Sequence, residues 1–536
     1  MNPWNLPARL RRRLLFERAE RQLDRDFQRL MDSAARAYGS RAAPAPEQKV
    51  AFATFGSGNW HLVLEILLAH GLALRGAVPE LLVCDMPTLP VCDERTCFDR
   101  NPTCCRGCLP GKRQLLDRCG IRWRGLSAFV PEGALEGARK IVDSLRDEEL
   151  ADFEHGSWAL GRWTFVSTCH FLRRDARSHE PEHLATRRSF LISAIVIVEA
   201  VERWLDEVKP DVVVAESGAH FMWRIAFELA RARGIRVVCR EIGKGGFDHH
   251  IYSVNAECMF PDWNHVWSAV KDVPLSAGRE RDVTSYLQAL PAKTYAPDET
   301  SDEGGPTRRE LGIADDSRLV VLFTNVTWDL ATAGRDEAFD GMFDWLSETL
   351  TVAERTPNVR FIIRVHPAED HVLTRDRVKD WLRARRPTLP ANVTSIDSGK
   401  RASAKALTRM ADLVLAYCST TGIEAAIHGK PIIVAGTPHY RDKGFTTDVR
   451  SKAEYHDLFA RWLRGELVPP PDASELARRY FHLFFFRYHI AMGWTTSPLE
   501  PPFELTLRDL SELLPGRSQA VDVVCSGILS GREILM

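Results

Sequence analysis

The sequence predicts an α/β protein of two doubly wound domains, each a parallel sheet with helices on both faces. Three observations predict it. Short apolar, β-branched runs recur as candidate strands, amphipathic segments of helical length separate them, and residues 295–306 crowd Pro, Asp, Glu, Ser, Thr and two glycines into a linker that divides the alternation in two. At 536 residues the chain is too long for one core, and 45% hydrophobic with 27% charged residues is ordinary for a soluble globular protein. A net charge of -1 gives no global attraction to nucleic acid, which is not expected as a partner. No apolar run reaches the length of a membrane span, and the N-terminus lacks the apolar core and cleavage site of a secretory signal, so the expected compartment is cytoplasmic.

Residues 1–46 read as a basic amphipathic helical arm and a linker. Leu10, Leu14, Phe16, Leu23, Phe27 and Leu30 recur near helical spacing among Arg9, Arg11, Arg12, Arg13 and Arg18, and Ala42-Ala43-Pro44-Ala45-Pro46 closes the segment. Such a helix either packs on the protein body or rests peripherally on an anionic inner-membrane face, an attraction that Glu17, Glu20, Asp24 and Asp26 dilute.

The first sheet domain spans 47–300. A strand at 50–55, the turn Gly56-Ser57-Gly58-Asn59, a helix over 61–74 and a strand at 81–84 make a βαβ start. Gly56 and Gly58 lack the third glycine of a dinucleotide fingerprint, and a tight strand-to-helix turn explains them. A second βαβ unit runs through 210–214, a helix at 221–232 and 234–238. Its strand ends present Glu216, then Glu241, Gly243, Lys244, Gly245, Gly246, Asp248, His249 and His250 to one side of the sheet. Asp248, His249 and His250 invite a metal, but adjacent residues of a polar loop seldom all face one ion.

Seven of the twelve cysteines lie between 84 and 119, in a proline-interrupted stretch that reads as a loop-rich insertion. Cys105 and Cys108 form a CxxC pair. With Cys92 and Cys97 they make a candidate four-thiolate structural zinc site, with Cys104 and Cys119 as alternative ligands; an iron–sulfur cluster and free or redox thiols are the competing readings.

The second sheet domain spans 301–465. A helix at 307–311, a strand at 319–324, an amphipathic helix at 337–354 and a strand at 359–365 open it. A helix at 404–411, a strand at 413–417, a helix at 422–428 and a strand at 431–435 continue the alternation. His366 and Pro367 then fall at the carboxyl end of one strand, and Ser419, Thr420, Thr421 and Gly422 at that of another. Hydroxyls and free backbone N–H groups at that edge suit a phosphate. Residues 466–536 read as C-terminal helices, with a helix over 473–492 crossing back to brace the first domain.

At Arg364-Val365-His366-Pro367 and Ser419-Thr420-Thr421-Gly422-Ile423-Glu424 the chain resembles the capsule polysaccharide biosynthesis glycosyltransferases, a GT-B group that includes Kdo transferases and has polysialyltransferase relatives. Further echoes are Leu322 to Asn325 with Trp328 and Asp329, His439-Tyr440-Arg441, Lys443 to Thr446, and Phe484 to Arg487. The resemblance covers roughly residues 310–490. It implies two Rossmann-like domains facing a cleft, a nucleotide-sugar donor, a polysaccharide or glycolipid acceptor, and no metal cofactor for catalysis.

Donor contacts are then expected from Asn325, Arg364, His366, Ser419, Thr420, Thr421, Gly422, Glu424, Arg441 and Lys443, and the loop Gly56 to Asn59 would line the acceptor cleft. Transfer requires the acceptor hydroxyl to lose a proton, for which Glu241 is the first choice and Glu216 the second; His366 would stabilise the leaving nucleotide. A polyol-phosphate transferase or nucleotide-sugar epimerase of the same frame, and a non-catalytic carbohydrate-assembly subunit, are the alternatives.

Overall fold

The computed structural model describes residues 8–39, 48–56, 58–93, 105–288, 308–314, 316–370, 373–398, 403–498 and 502–536. These form two compact units. The first comprises Met1–Phe171, His179–Pro261 and Phe485–Met536, and the second Leu172–Ser178 and Asp262–Phe484.

The first unit is built on a seven-stranded sheet of β1 (Lys49–Thr54), β2 (Val78–Val83), β3 (Arg122–Gly125), β4 (Val212–Glu216), β5 (Arg236–Ile242), β6 (His249–Val254) and β13 (Ile490–Ala491), in the order β13-β6-β5-β4-β1-β2-β3. The β1, β2, β3, β4 and β5 pairings are parallel, whereas β6 runs antiparallel to both β5 and β13. The chain starts in the middle of the sheet, runs out to one edge and returns to fill the other. That reversal leaves a switch point between β1 and β4, where open α/β sheets bind ligands. Residues 213–215 of β4 and 51–54 of β1 are buried without alternation, as expected for strands covered on both faces.

Several sequence expectations change here. Of the Cys-rich stretch, residues 105–116 form the helix Cys105–Leu116 on the crossover from β2 to its parallel neighbour β3, and residues 94–104 lie outside the described residues. Proline at 110 hid this helix, because an interior proline normally argues against one. The arm helix Ala8–Asp32 sends Leu23, Phe27 and Leu30 into the core of the first unit, each at most 4% exposed. Burying such side chains stabilises by roughly 1.5–3 kcal/mol each, so this part of the arm has no apolar face left for a membrane. His249 and His250 lie in β6 rather than a polar loop, and Asp248 accepts hydrogen bonds from the backbone N–H groups of Gly493, Trp494 and Thr495, where it fixes the edge of the sheet. The 28-residue helix Pro181–Val208 escaped the sequence reading because its middle is buried almost all round and shows no polar stripe.

The second unit carries β7 (Arg318–Phe323), β8 (Val359–Arg364), β9 (Val393–Ile396), β10 (Leu413–Ala416), β11 (Ile432–Val434) and β12 (Thr447–Asp448) in the order β12-β11-β10-β7-β8-β9. Every pairing is parallel. Its switch point lies between β7 and β10. The helix Met342–Arg355 covers one face, packing Trp345, Leu346 and Leu350 into a core with Phe361, Tyr417 and Tyr455. Residues 308–312 form turns and not a helix, because Gly312 at φ +65° ends the segment within one turn. The helix Ala473–His482 belongs to this unit, and Leu483–Tyr488 continues it as a π-helical turn. No helix among the described residues is long and apolar enough to cross a membrane.

Candidate functional site

In the second unit the carboxyl ends of three strands are tied together at the switch point. After β7, Thr324 Oγ1 accepts the His366 backbone N–H at 3.1 Å, which joins that end to β8. Asn325 Oδ1 accepts the Cys418 backbone N–H at 3.1 Å, which joins it to β10. Both residues are nearly buried, so these bonds are shielded from water. The edge is thus held in place before any ligand arrives.

His366 keeps part of its surface exposed there. Its Nδ1 accepts the N–H of Ala368 at 3.2 Å. An acceptor nitrogen carries no proton, so the neutral ring bears its hydrogen on Nε2 and presents a donor. Ser419, Thr420 and Thr421 lie partly exposed on the same edge. Ser419 Oγ donates to Thr421 Oγ1 at 3.0 Å and accepts the Thr421 N–H at 3.3 Å, while Tyr440 donates to the Ser419 carbonyl at 2.6 Å. Gly422 is required by that last contact. A Cβ on it would sit 2.3 Å from the Tyr440 hydroxyl.

Other expected donor residues are committed elsewhere. Arg364 is 3% exposed and donates to the carbonyls of Val365 and Asp397 at 2.9 and 3.2 Å, bracing the end of β8. Arg441 donates to the carbonyls of Gly436 and Val449 and pairs with Glu337 at 2.7 Å. Lys443 donates to Asn264 Oδ1 at 2.8 Å, and burial lowers its pKa. Arg364 ends β8 and Arg441 and Lys443 follow β11, and in this structure each holds oxygen atoms of the protein. Glu424 sits in the first turn of the helix Thr421–Ile427, partly exposed. His439 stacks on Phe484 with centroids 4.0 Å apart and bonds Tyr480 through Nδ1 at 2.9 Å, so two of the echoed segments pack on one another.

Sequence reasoning missed the charged group behind β10. Tyr417 donates to Asp336, and Arg177 pairs with Asp336 at 3.0 Å and with Asp175 at 2.8 Å. Burial raises the Asp336 pKa against the pull of Arg177. Arg177 comes from the short stretch Leu172–Ser178, far from the rest of this unit in sequence, and no local pattern marks it.

In the first unit the switch point gathers a buried ionic cluster. Glu216 ends β4 and lies 2.9 Å from His61 Nδ1 and 3.8 Å from Arg240 Nη2. His61 and Glu65 are one helical turn apart on the helix Gly58–Ala73 and share a face. Glu241, at the end of β5, accepts its neighbour Ile242 N–H at 2.9 Å. Burial, with the Glu216 charge adding, raises Glu241 to about 7; burial likewise raises Glu65 to about 7 against the pull of Arg240. For His61 burial works downward, but the charge and hydrogen bond of Glu216 outweigh it and the pKa rises. Arg240 is fully buried, and none of its guanidinium nitrogens has a hydrogen-bond partner among the described residues. A buried guanidinium in that state is a strong reason to expect polar ligand atoms or water beside it. Ser217, just past Glu216, holds φ +56°, a left-handed backbone uncommon for serine that clusters at functional turns.

The turn of residues 56–59 is only partly described. Ser57 lies outside the described residues, Gly58 and Asn59 open the helix, and a Cβ on Gly111 would meet the Asn59 side chain at 3.0 Å. Asn59 therefore packs on the crossover helix. His61 and Glu65 had a legible signal, two polar residues four apart in a mostly apolar helix, and Arg240 with Glu241 another, adjacent charges at the end of a strand whose middle is apolar.

The β7 to β12 edge with His366 and Ser419 falls inside residues 314–461, which match the family model described as capsule polysaccharide biosynthesis protein. The match covers the sheet of the second unit and less than half of the chain. The match includes His366, Ser419, Thr420 and Thr421 and ends before the helix Ala473–His482. No curated protein matches the chain. Among solved structures, it is similar to the KpsC beta Kdo 2,4 transferase of Thermosulfurimonas dismutans at 16% identity and TM-score 0.32, over 50% of this chain and 78% of that one. It is also similar to the UDP-GlcNAc 2-epimerase of Neisseria meningitidis at 14% identity and TM-score 0.23, over 80% and 94%. The glycosyltransferase SnogD of Streptomyces nogalater gives 12% identity and TM-score 0.23, over 81% and 94%.

Proposed function

We propose that the protein is a glycosyltransferase that moves a sugar from a nucleotide-sugar donor to a growing surface polysaccharide or glycolipid. The observation that carries this reading is the capsule-synthesis match, which falls on the very sheet edge where His366, Ser419, Thr420 and Thr421 stand partly exposed. The second unit binds the donor: His366 Nε2 and the hydroxyls of Ser419 to Thr421 donate to the nucleotide phosphates, and Glu424 accepts from ribose hydroxyls. As the glycosidic bond to the nucleotide breaks, charge grows on the phosphate oxygen, and a donor already aimed there stabilises it.

The acceptor reaction belongs to the first unit. Glu241, held near 7, takes the proton of the attacking hydroxyl, an efficient pKa for a base at neutral pH. Glu216 and His61 set its charge environment. Leaving-group charge is met by side chains and backbone, with no metal assigned to the step.

A thermal-shift series with CMP-, UDP-, GDP- and CDP-linked sugars tests the reading, because a ligand that binds only the native state raises its stability. One nucleotide class should raise the melting temperature in a concentration-dependent way, and H366A should abolish the rise. No shift with any of the four at millimolar ligand would refute a nucleotide-sugar site.

A further inference from the structure

At the carboxyl ends of β1 and β2 the first unit holds a cavity of about 40 Å³, lined by Cys84, Cys92, Cys105, Cys108, Phe55 and Met86 among others. A water-sized occupant needs roughly 10–15 Å³. The space therefore admits an ion, and no sugar. Cys84 follows β2, Cys92 lies in the loop beyond it, and Cys105 and Cys108 stand one turn apart at the start of the 12-residue helix Cys105–Leu116. Residues three apart on a helix share a face, so both helix thiols meet the loop thiols across one small space. None of the four is in a disulfide.

The surroundings are selective. Asp85, the carboxylate of the lining, accepts the Ser127 N–H at 2.8 Å and its hydroxyl at 2.5 Å, which leaves sulfur as the ligand chemistry.

We propose that Cys84, Cys92, Cys105 and Cys108 form a thiolate site for one thiophilic divalent ion, zinc first, which pins the crossover helix to the sheet edge. Four sulfurs, two of them a CxxC pair, are the ligand number and type of tetrahedral structural zinc. Among the described residues no group of His, Cys, Asp and Glu side chains is poised to hold an ion as it stands. Loading therefore turns the thiols inward, and rotation between staggered χ1 wells moves a cysteine sulfur without moving the backbone. The site differs from the sequence expectation in one ligand: Cys97 lies outside the described residues, and Cys84 takes its place. It is also independent of the donor reading, since it involves the other unit.

Full-length protein purified anaerobically should carry about one zinc per chain. Cobalt in its place should give a sulfur-to-cobalt charge-transfer band and the intense visible bands of a tetrahedral thiolate site. The C105S/C108S variant should lose the metal and these bands, and chelation should lower the melting temperature of the natural protein but not of that variant. Should C105S/C108S fail to fold by far-UV circular dichroism, C84S carries the test, with weakened charge transfer expected. Metal-free protein that also takes up no cobalt, cobalt bands unchanged in C84S or in a folded C105S/C108S, or a Cys105–Cys108 disulfide in the anaerobic protein would each overturn the proposal.

Discussion

Asn325 Oδ1 accepts the backbone N–H of Cys418 at 3.1 Å, across the switch point between β7 and β10. One side chain, 93 positions away in sequence, thereby fixes where the chain leaves β10 and delivers Ser419 to Thr421 to the sheet edge. The sequence reading placed Asn325 among the donor contacts. Its side-chain carbonyl is committed to the protein in this structure, which sets the backbone that leads to Ser419.

Replacing Asn325 by alanine strands the Cys418 N–H in a buried place, which costs about 1–3 kcal/mol. The expected outcome is a lower melting temperature together with weaker nucleotide binding by calorimetry. Loss of binding with no change in stability would show instead that Asn325 touches the ligand.

His366→Ala should leave the fold intact, because His366 lies partly exposed at the end of β8, and should lower turnover about a hundred- to a thousandfold as expected for a lost preorganised donor. His366→Gln should recover part of the rate, since an amide nitrogen can replace Nε2 as a donor. Near-normal turnover by folded H366A would remove His366 from the chemistry.

The double substitution Ser419→Ala with Thr420→Ala should weaken binding of both the nucleotide sugar and the free nucleotide product, measured by titration. If only the acceptor KM moves, the hydroxyls serve another subsite.

Glu241 and Glu65 are raised from the ordinary carboxylate value to about 7, chiefly by burial. A raised acid binds its proton more tightly folded than unfolded, so stability falls as pH rises from about 4.5 to 7. His61 is raised too, and a raised histidine also loses its contribution as pH rises through its folded value, so the signs agree. The melting temperature should therefore decline across this window, and less steeply in E241Q. In kcat/KM the acid limb should lie near neutrality, and the residual activity of E241Q should lack it. An E241Q profile of unchanged shape would assign the base to another residue.

What the sequence by itself determined was the alternation. Runs such as 319–324, 359–365 and 413–417 are short, apolar and set between helical segments, so β7, β8 and β10 were legible, with His366 and Ser419 just past the carboxyl ends of β8 and β10. Hydrophobic periodicity is a local property, and so is the placement of a residue at a strand end. The tertiary structure alone decided which polar groups satisfy one another. Arg364 and Lys443 look like phosphate ligands in the chain, yet Arg364 also meets the Asp397 carbonyl and Lys443 the Asn264 side chain, oxygens brought to them from 33 and 179 positions away. His61, Glu65, Glu216, Arg240 and Glu241 come from three elements spread over 181 residue positions, and only the β1–β4–β5 order makes them neighbours. Burial, which sets their pKa values, does not exist until the sheet closes over them.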